Sequence, residues 1–209
     1  METVVYIDFD GTISTTDVLN HLLEAFTGNQ WLPIDEKYLA GEISSKECIS
    51  KQVSLMSKAT NREILEKAEE VGLDPYFKDF IKYCIKKEYK FKILSDGLDI
   101  YINHLLKAEG IEGVEVMSNK FIGSGIVKFP YHYKLCKKNC GNCKKGHIEC
   151  SKFTVYIGDG ASDYCAAKEC NLVFAKNSLS KHLKNNNIKH IQFNNFKDIT
   201  AYFEGLDVD

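Results

Sequence analysis

Five short runs rich in β-branched and aromatic residues recur along the chain, at Val4 to Phe9, Phe91 to Leu94, Phe153 to Ile157, Leu172 to Ala175 and His190 to Phe193. Each is bounded by glycine, acidic or small polar residues, and helical patterns fill the intervals. A strand that is apolar throughout must be covered on both faces, and the helical intervals supply the cover. The pattern therefore predicts an α/β fold, a parallel sheet with helices on both faces.

The segment from about Thr15 to Glu88 departs from this rhythm, with four helical stretches and no strand pattern. Asp17 to Phe26 puts Val18, Leu19, Leu22, Leu23 and Phe26 on one helix face. Ser44 with Glu47 forms a capping box ahead of Ile49, Val53 and Met56, and Asn61 is expected to cap a helix carrying Ile64, Leu65 and Ala68. Asp74-Pro75 opens a fourth helix whose buried stripe is Phe77, Phe80, Ile81, Cys84 and Ile85. The first three predict a small helical domain inserted after the first strand, and the fourth leads back into the sheet. The expected division is a core of residues 1–14 and 84–209 with a helical cap at 15–83. Two further strands are expected at Val114 to Phe121 and Gly125 to Phe129, around the turn Gly123-Ser124-Gly125. The acidic tail after Glu204 is expected to fray.

Bulk properties exclude several classes of function. A chain of 209 residues buries about 70% of its unfolded surface, enough for a core without staples. A net charge of −2 argues against a nucleic-acid surface, and the lysine-rich stretches read as solvated helix faces. No apolar run approaches the roughly 20 residues needed to span a bilayer, and no signal sequence precedes Val4, so a cytoplasmic protein without membrane contacts is expected, as monomer or homodimer. In that compartment the eight cysteines are free thiols or metal ligands. Arg62 is the single arginine, so no further arginine is available to clamp an anion.

Three motifs carry chemistry. In Ile7-Asp8-Phe9-Asp10-Gly11-Thr12, an apolar strand ends in two carboxylates two residues apart, on one face of the strand and at the end where parallel sheets bind ligands. A turn at Asp10-Gly11 explains part of this, but an acid inside an apolar strand is costly unless compensated. In Tyr156-Ile157-Gly158-Asp159-Gly160-Ala161-Ser162-Asp163, a second apolar strand ends in acid. Asp159 is a candidate metal ligand, with Asp163 one helical turn on; an N-capped turn is the plainer alternative. In Ile93-Leu94-Ser95-Asp96-Gly97, a strand ends in a hydroxyl before a helix, which suits either a phosphate oxygen or a plain N-cap.

Taken in order, Asp-x-Asp-Gly-Thr, Ser-Asp-Gly, a lysine and Gly-Asp-Gly-x-x-Asp resemble the four motifs of haloacid dehalogenase (HAD) superfamily phosphatases, over Thr3 to about Lys176. The resemblance implies a Rossmann-like core with a cap, acting on a small-molecule phosphomonoester with magnesium (Mg2+) as cofactor. It implies that Asp8 attacks phosphorus, that Asp10 is general acid and base, and that Thr12, Ser95, Asp96 and Gly97 bind the phosphate. Magnesium would take Asp8, the Asp10 carbonyl and Asp159, with Asp163 supporting them from behind. Lys144 is the matching lysine, with Lys145 its adjacent alternative, and would offset the charge of Asp8 and phosphate. Pro130-Tyr131-His132, Cys136, Cys140 and Cys143-Lys144 are similar to the phosphoethanolamine/phosphocholine phosphatase group. Cys-Gly-Asn-Cys-Lys and the length are similar to the 2-hydroxy-3-keto-5-methylthiopentenyl-1-phosphate phosphatases. Phosphoserine phosphatase is a more distant likeness.

Cys136, Cys140 and Cys143, spaced C-x3-C-x2-C, admit a second story. An iron–sulfur site of that spacing needs a barrel downstream for which too little chain remains. Zinc could recruit His147 or Cys150, whereas the plainer reading is a loop of reduced thiols that delivers Lys144. Other readings of the chain are a phosphotransferase of the same fold, a phosphoryl-accepting signalling domain that turns over once, and a zinc-binding interaction module.

Overall fold

The computed structural model describes residues 2–206. Seven strands form one sheet: β1 (Thr3–Ile7), β2 (Lys90–Leu98), β3 (Glu115–Gly123), β4 (Ile126–Lys128), β5 (Phe153–Gly158), β6 (Leu172–Ala175) and β7 (Ile191–Gln192). Their spatial order is β4-β3-β2-β1-β5-β6-β7, parallel throughout except for the β3–β4 hairpin at one edge. All five sheet strands expected from the apolar runs are present, as is the expected hairpin. The acidic tail expectation falls partly on residues 207–209, outside the described residues.

β1 is central because nothing in Val4 to Ile7 tolerates water; all four are fully buried. Alternation sends Val5 and Ile7 into the larger core, with Phe9, Phe80 and Phe196, and Val4 and Tyr6 into a smaller one with Ala166, Leu179 and Leu183. Ile7 lies level with Ile93 of β2 and Ile157 of β5, so β1 and β5 run out together while β2 continues to Leu98. The chain leaves β1 toward β2 and β3, then returns to place β5 on the other side. That reversal opens a crevice at the carboxyl ends of β1 and β5.

The segment after β1 folds into α1 (Val18–Thr27), α2 (Leu32–Leu39), α3 (Ser45–Leu55) and α4 (Asn61–Ala68). It leaves and re-enters the sheet through one neck, where Thr15 N–H donates to the Gly72 carbonyl and Asp74 N–H to that of Ile13. Two sequence expectations are corrected here. The N-cap of α4 is Thr60, in a complete capping box with Glu63, and Asn61 is already helical. In α5 (Phe77–Lys86), Phe77, Phe80, Ile81 and Cys84 are buried but Ile85 is 63% exposed, because it lies about 80° round the helix from the stripe centred on Phe77. The aromatic rings of Phe77 and Phe80 pack on Phe196 of α9 (Phe196–Leu206) at 4.9 and 5.2 Å. The remaining helices are α6 (Asp99–Ala108), α7 (Tyr164–Ala167) and α8 (Asn177–Asn185). Among the described residues, no helix is long and apolar enough to cross a membrane.

Candidate active site

The crevice holds a cavity of about 510 Å3 between the strand ends and α1–α3, with Asp8, Asp10, Ser95, Asp96, Gly97 and Asp159 in its wall. The turns of β1 and β5 into their loops, and the end of β2 itself, thus bring six of the nine sequence candidates to one surface. Thr12, Lys144 and Asp163 lie behind it.

Asp8 is fixed where β1 ends: its N–H donates to the Ile157 carbonyl at 2.9 Å and the residue is 4% exposed. Lys144 Nζ, equally buried, donates to Asp8 Oδ1 at 2.6 Å, Asp163 Oδ1 at 2.7 Å and Ser162 Oγ at 3.0 Å. Lys145 instead points outward to Glu169. Asp163 has no free oxygen: Oδ1 also accepts from Tyr156 OH at 2.6 Å, and Oδ2 accepts from the N–H groups of Asp159 and Gly160. Asp159 accepts from Thr12 Oγ1 at 3.2 Å and from Asn177 Nδ2 at 3.1 Å. The Thr12 hydroxyl is therefore turned to Asp159. Gly11, at φ +72°, leaves the space that brings the loop against this carboxylate, since a Cβ would stand 2.7 Å from Asp159 Oδ2.

Asp10 is gripped from another side. Tyr101 OH lies 3.0 and 3.2 Å from its two oxygens, Ser95 Oγ donates at 3.1 Å and Val18 N–H at 3.1 Å. Gly97 makes room for this cluster; a Cβ there would overlap the Tyr101 hydroxyl and the Asp10 carboxylate. Its N–H donates to Ser95 Oγ at 2.8 Å.

The electrostatics have one sign. Burial, then Asp163, push the Asp8 carboxyl well up, with Lys144 opposing. Burial pushes Asp10 up to about 6 against the pull of Tyr101, Ser95 and Val18, and burial with Asp163 raises Asp159. Burial alone would lower the Lys144 ammonium, but Asp163 and Asp8 override it and hold it charged. Four acids, Asp8, Asp10, Asp159 and Asp163, thus surround one ammonium. Among the described residues, Asp8, Asp159 and Asp163 are the group whose ligand atoms all lie within 4.8 Å of one another. Hard oxygen donors and surplus negative charge suit a hard divalent cation.

Four contributors escaped the sequence reading. Tyr101, on α6, reads as a core aromatic of an amphipathic helix. Asn142 ties the Lys144 loop to the sheet: its N–H donates to Asp96 Oδ1 at 2.8 Å and its amide to the carbonyls of Ser95 and Met117. Ser162 shares Lys144, and Asn177 holds Asp159 from the α8 side. Ser162 and Asn142 lay inside quoted motifs without a role of their own, Asn177 follows the strand run that ends at Ala175, and Tyr101 carried no signal.

Comparison with known proteins agrees with this arrangement. The model of the haloacid dehalogenase-like hydrolases matches residues 5–168. A 2-hydroxy-3-keto-5-methylthiopentenyl-1-phosphate phosphatase of Bacillus thuringiensis (strain Al Hakam) is 30% identical over 190 residues, covering 86% of this chain and 85% of its own. One of the same description from Brevibacillus brevis (strain 47) is 27% identical over 186 residues, covering 85% and 84%. In fold, a phosphoserine phosphatase solved as a phospho-aspartyl intermediate analogue superposes with a TM-score of 0.74 at 19% identity, covering 96% of this chain and 98% of its own. With three acid-bearing strand ends gathered at the sheet reversal, and a family match over most of the chain, this protein belongs to the haloacid dehalogenase-like hydrolases.

Proposed function

We propose that the chain is a magnesium-dependent phosphatase that hydrolyses small organic phosphate monoesters through an aspartyl-phosphate on Asp8. The observation that carries this reading is the buried Asp8 carboxylate held against Lys144 at the cavity wall, with Asp10 beside it pushed up to about 6.

An Asp8 oxygen attacks phosphorus as the ester oxygen leaves, and the Asp10 carboxyl protonates that oxygen, releasing an alcohol. The resulting Asp10 carboxylate then takes a proton from water, which attacks the phosphoryl group and restores Asp8. An acid whose pKa stands near 6 serves both half-reactions at neutral pH. Lys144 offsets the charge of Asp8 and, through the same ammonium, fixes Asp163. Ser95 and the Gly97 backbone present polar groups where phosphate oxygens would lie, and Asp96 shapes the same wall. Thr12 acts here by orienting Asp159. Magnesium fits the Asp8, Asp159 and Asp10-carbonyl set, with Asp163 bracing it, and when bound would neutralise charge developing on the phosphoryl oxygens. The helices within the expected 15–83 cap, α1–α4 above all, are the lid that selects the organic group.

That group carries no carboxylate in the reading we favour. The cavity wall includes Asp17, Asp35 and Asp96 but no lysine, arginine or histidine among the described residues, and Arg62 lies outside it, exposed and paired with Glu66. Apart from its phosphate, the compound named for the Bacillus thuringiensis relative carries hydroxyl, keto and methylthio groups on a pentenyl chain and no carboxylate, unlike phosphoserine. A panel of phosphate monoesters assayed with magnesium and with chelator tests the proposal. Activity should require magnesium, vanish in Asp8→Asn, and be roughly tenfold or more lower on phosphoserine than on uncharged alcohol or sugar phosphates. A broad panel inert with magnesium present would overturn it.

A further inference from the structure

The stretch from Phe129 to Lys152 joins β4 to β5 and delivers Lys144 to Asp8, yet it has almost no regular structure, only the 3-10 turn Lys144–His147. Loops of this length are uncommon without a function or an internal tie. Its buried residues are Gly141, Asn142, Cys143 and Lys144, none of them aliphatic. Hydrophobic burial therefore cannot hold it, although its last buried residue must be placed to within fractions of an ångström.

What occupies the interior of the loop is sulfur. The Cys136 thiol shares hydrogen bonds with those of Cys140 and Cys143, and its sulfur also receives the N–H groups of Cys140 and Lys138. The Gly146 N–H, which donates to the Cys143 carbonyl at 2.8 Å, also faces the Cys143 sulfur, which has Cys165 as an electrostatic neighbour. Cys165 comes from α7, which packs against the 3-10 turn, and it lines one cavity with Cys140. The other two candidates for a fourth donor are committed elsewhere: His147 Nε2 pairs with Asn142 Oδ1 at 2.9 Å, and the exposed Cys150 thiol donates to the Ile148 carbonyl. Charge agrees. Lys134, Lys137, Lys138, Lys144 and Lys145 fall in a twelve-residue span with no acid, so a site carrying two net negative charges would be compensated.

We infer that Cys136, Cys140, Cys143 and Cys165 form a structural site for a thiophilic divalent cation of the zinc class, which pins the lysine loop to α7. Four thiolates around such an ion leave it with a net charge of minus two, and backbone N–H groups aimed at the sulfurs are what such ligands need around them. The Cys140 and Cys143 sulfurs meet Cys136 while Cys165 stands off beside Cys143, unlike the active-site acids whose ligand atoms already lie within 4.8 Å of one another, so binding draws the four together and releases the S–H protons to solvent. The site is independent of the phosphatase reading, since it involves no group of the cavity chemistry.

Protein purified without metal-affinity resin or chelator should carry about one zinc per chain, measured by atomic emission. After removal of zinc, cobalt(II) should restore one equivalent with an intense thiolate-to-cobalt absorption band. Cys136→Ser and Cys165→Ser should each lose at least roughly tenfold in cobalt affinity, and Cys150→Ser should lose none. Chelation should lower the melting temperature in a way that zinc restores and magnesium does not. Wild-type protein that holds no zinc and gives no thiolate–cobalt band overturns the proposal whether or not the variants fold. So does a chain two mass units light with Cys136 joined to Cys140 or Cys143. Unchanged affinity in Cys165→Ser overturns the four-ligand site.

Discussion

Lys144 and Lys145 are adjacent in sequence and opposite in surroundings, one buried between two carboxylates, the other exposed beside Glu169. Lys144→Ala leaves Asp8 and Asp163 facing each other without a cation, so kcat should fall by roughly a hundredfold or more. Lys145→Ala removes a surface pair of small value and should leave kcat within about twofold. The reverse pattern would move the role to Lys145. Asp10→Asn can neither protonate a leaving alkoxide nor activate water. With p-nitrophenyl phosphate, whose leaving group hardly needs a proton, it should give a burst near one equivalent and then stall. Equal proportional losses on aryl and alkyl substrates, without a burst, would make Asp10 a structural residue. Asp8, Asp10 and Asp159 were readable because each breaks an apolar run with a charge. Tyr101 and Asn142 were not, because their roles exist only across space: Asn142 joins β2, β3 and the lysine loop, a meeting no local pattern encodes.

Among the elements, legibility followed burial. β1, β5 and β6 are covered on both faces and advertise themselves as apolar runs, whereas α2 contains no buried residue and so no stripe to read. The N-cap of α4 shows how a single hydroxyl decides a boundary: Thr60 and Asn61 are both competent caps, and the reciprocal bond that the Thr60 N–H donates to Glu63 Oε2 at 2.8 Å selects the threonine. Thr60→Ala should therefore cost about 1 kcal/mol in denaturant unfolding with kcat unchanged. Asn61→Ala should be nearly neutral, and equal losses in the two variants would return the cap to Asn61. Gly97→Ala tests the other end of the scale. Its Cβ collides with the Tyr101–Asp10 pair, so activity should fall by roughly a hundredfold while the sheet, built on β1 and its neighbours, stays folded.

At the scale of the whole molecule, the gathered acids make stability depend on pH in an unusual direction. Burial raises Asp10 to about 6 and, with Asp10 as neighbour, Asp17 to about 7, both from an ordinary value of 3.8; Asp8 and Asp159 move the same way. A raised acid binds its proton more tightly in the folded chain than in the unfolded one. Its contribution is complete below about pH 4 and is lost as pH climbs through 6 and 7. Acids moved the other way, such as Glu2, Glu70 and Glu149, lie on the exposed surface and finish titrating below about pH 5, so they cannot reverse the slope above it. Lys144, raised by its carboxylate partners, holds its proton throughout this range and adds no slope. Metal-free protein should therefore melt highest near pH 5 and lose several degrees by pH 8. Magnesium should reverse that loss, because it binds the ionised acids, competes with protons at pH 5 and stabilises by mass action once they are gone. A melting temperature that rises from pH 5 to 8 without metal would show that the acids are solvated or paired in the folded chain, and the excess negative charge offered as the reason for a cation at Asp8 and Asp159 would not exist.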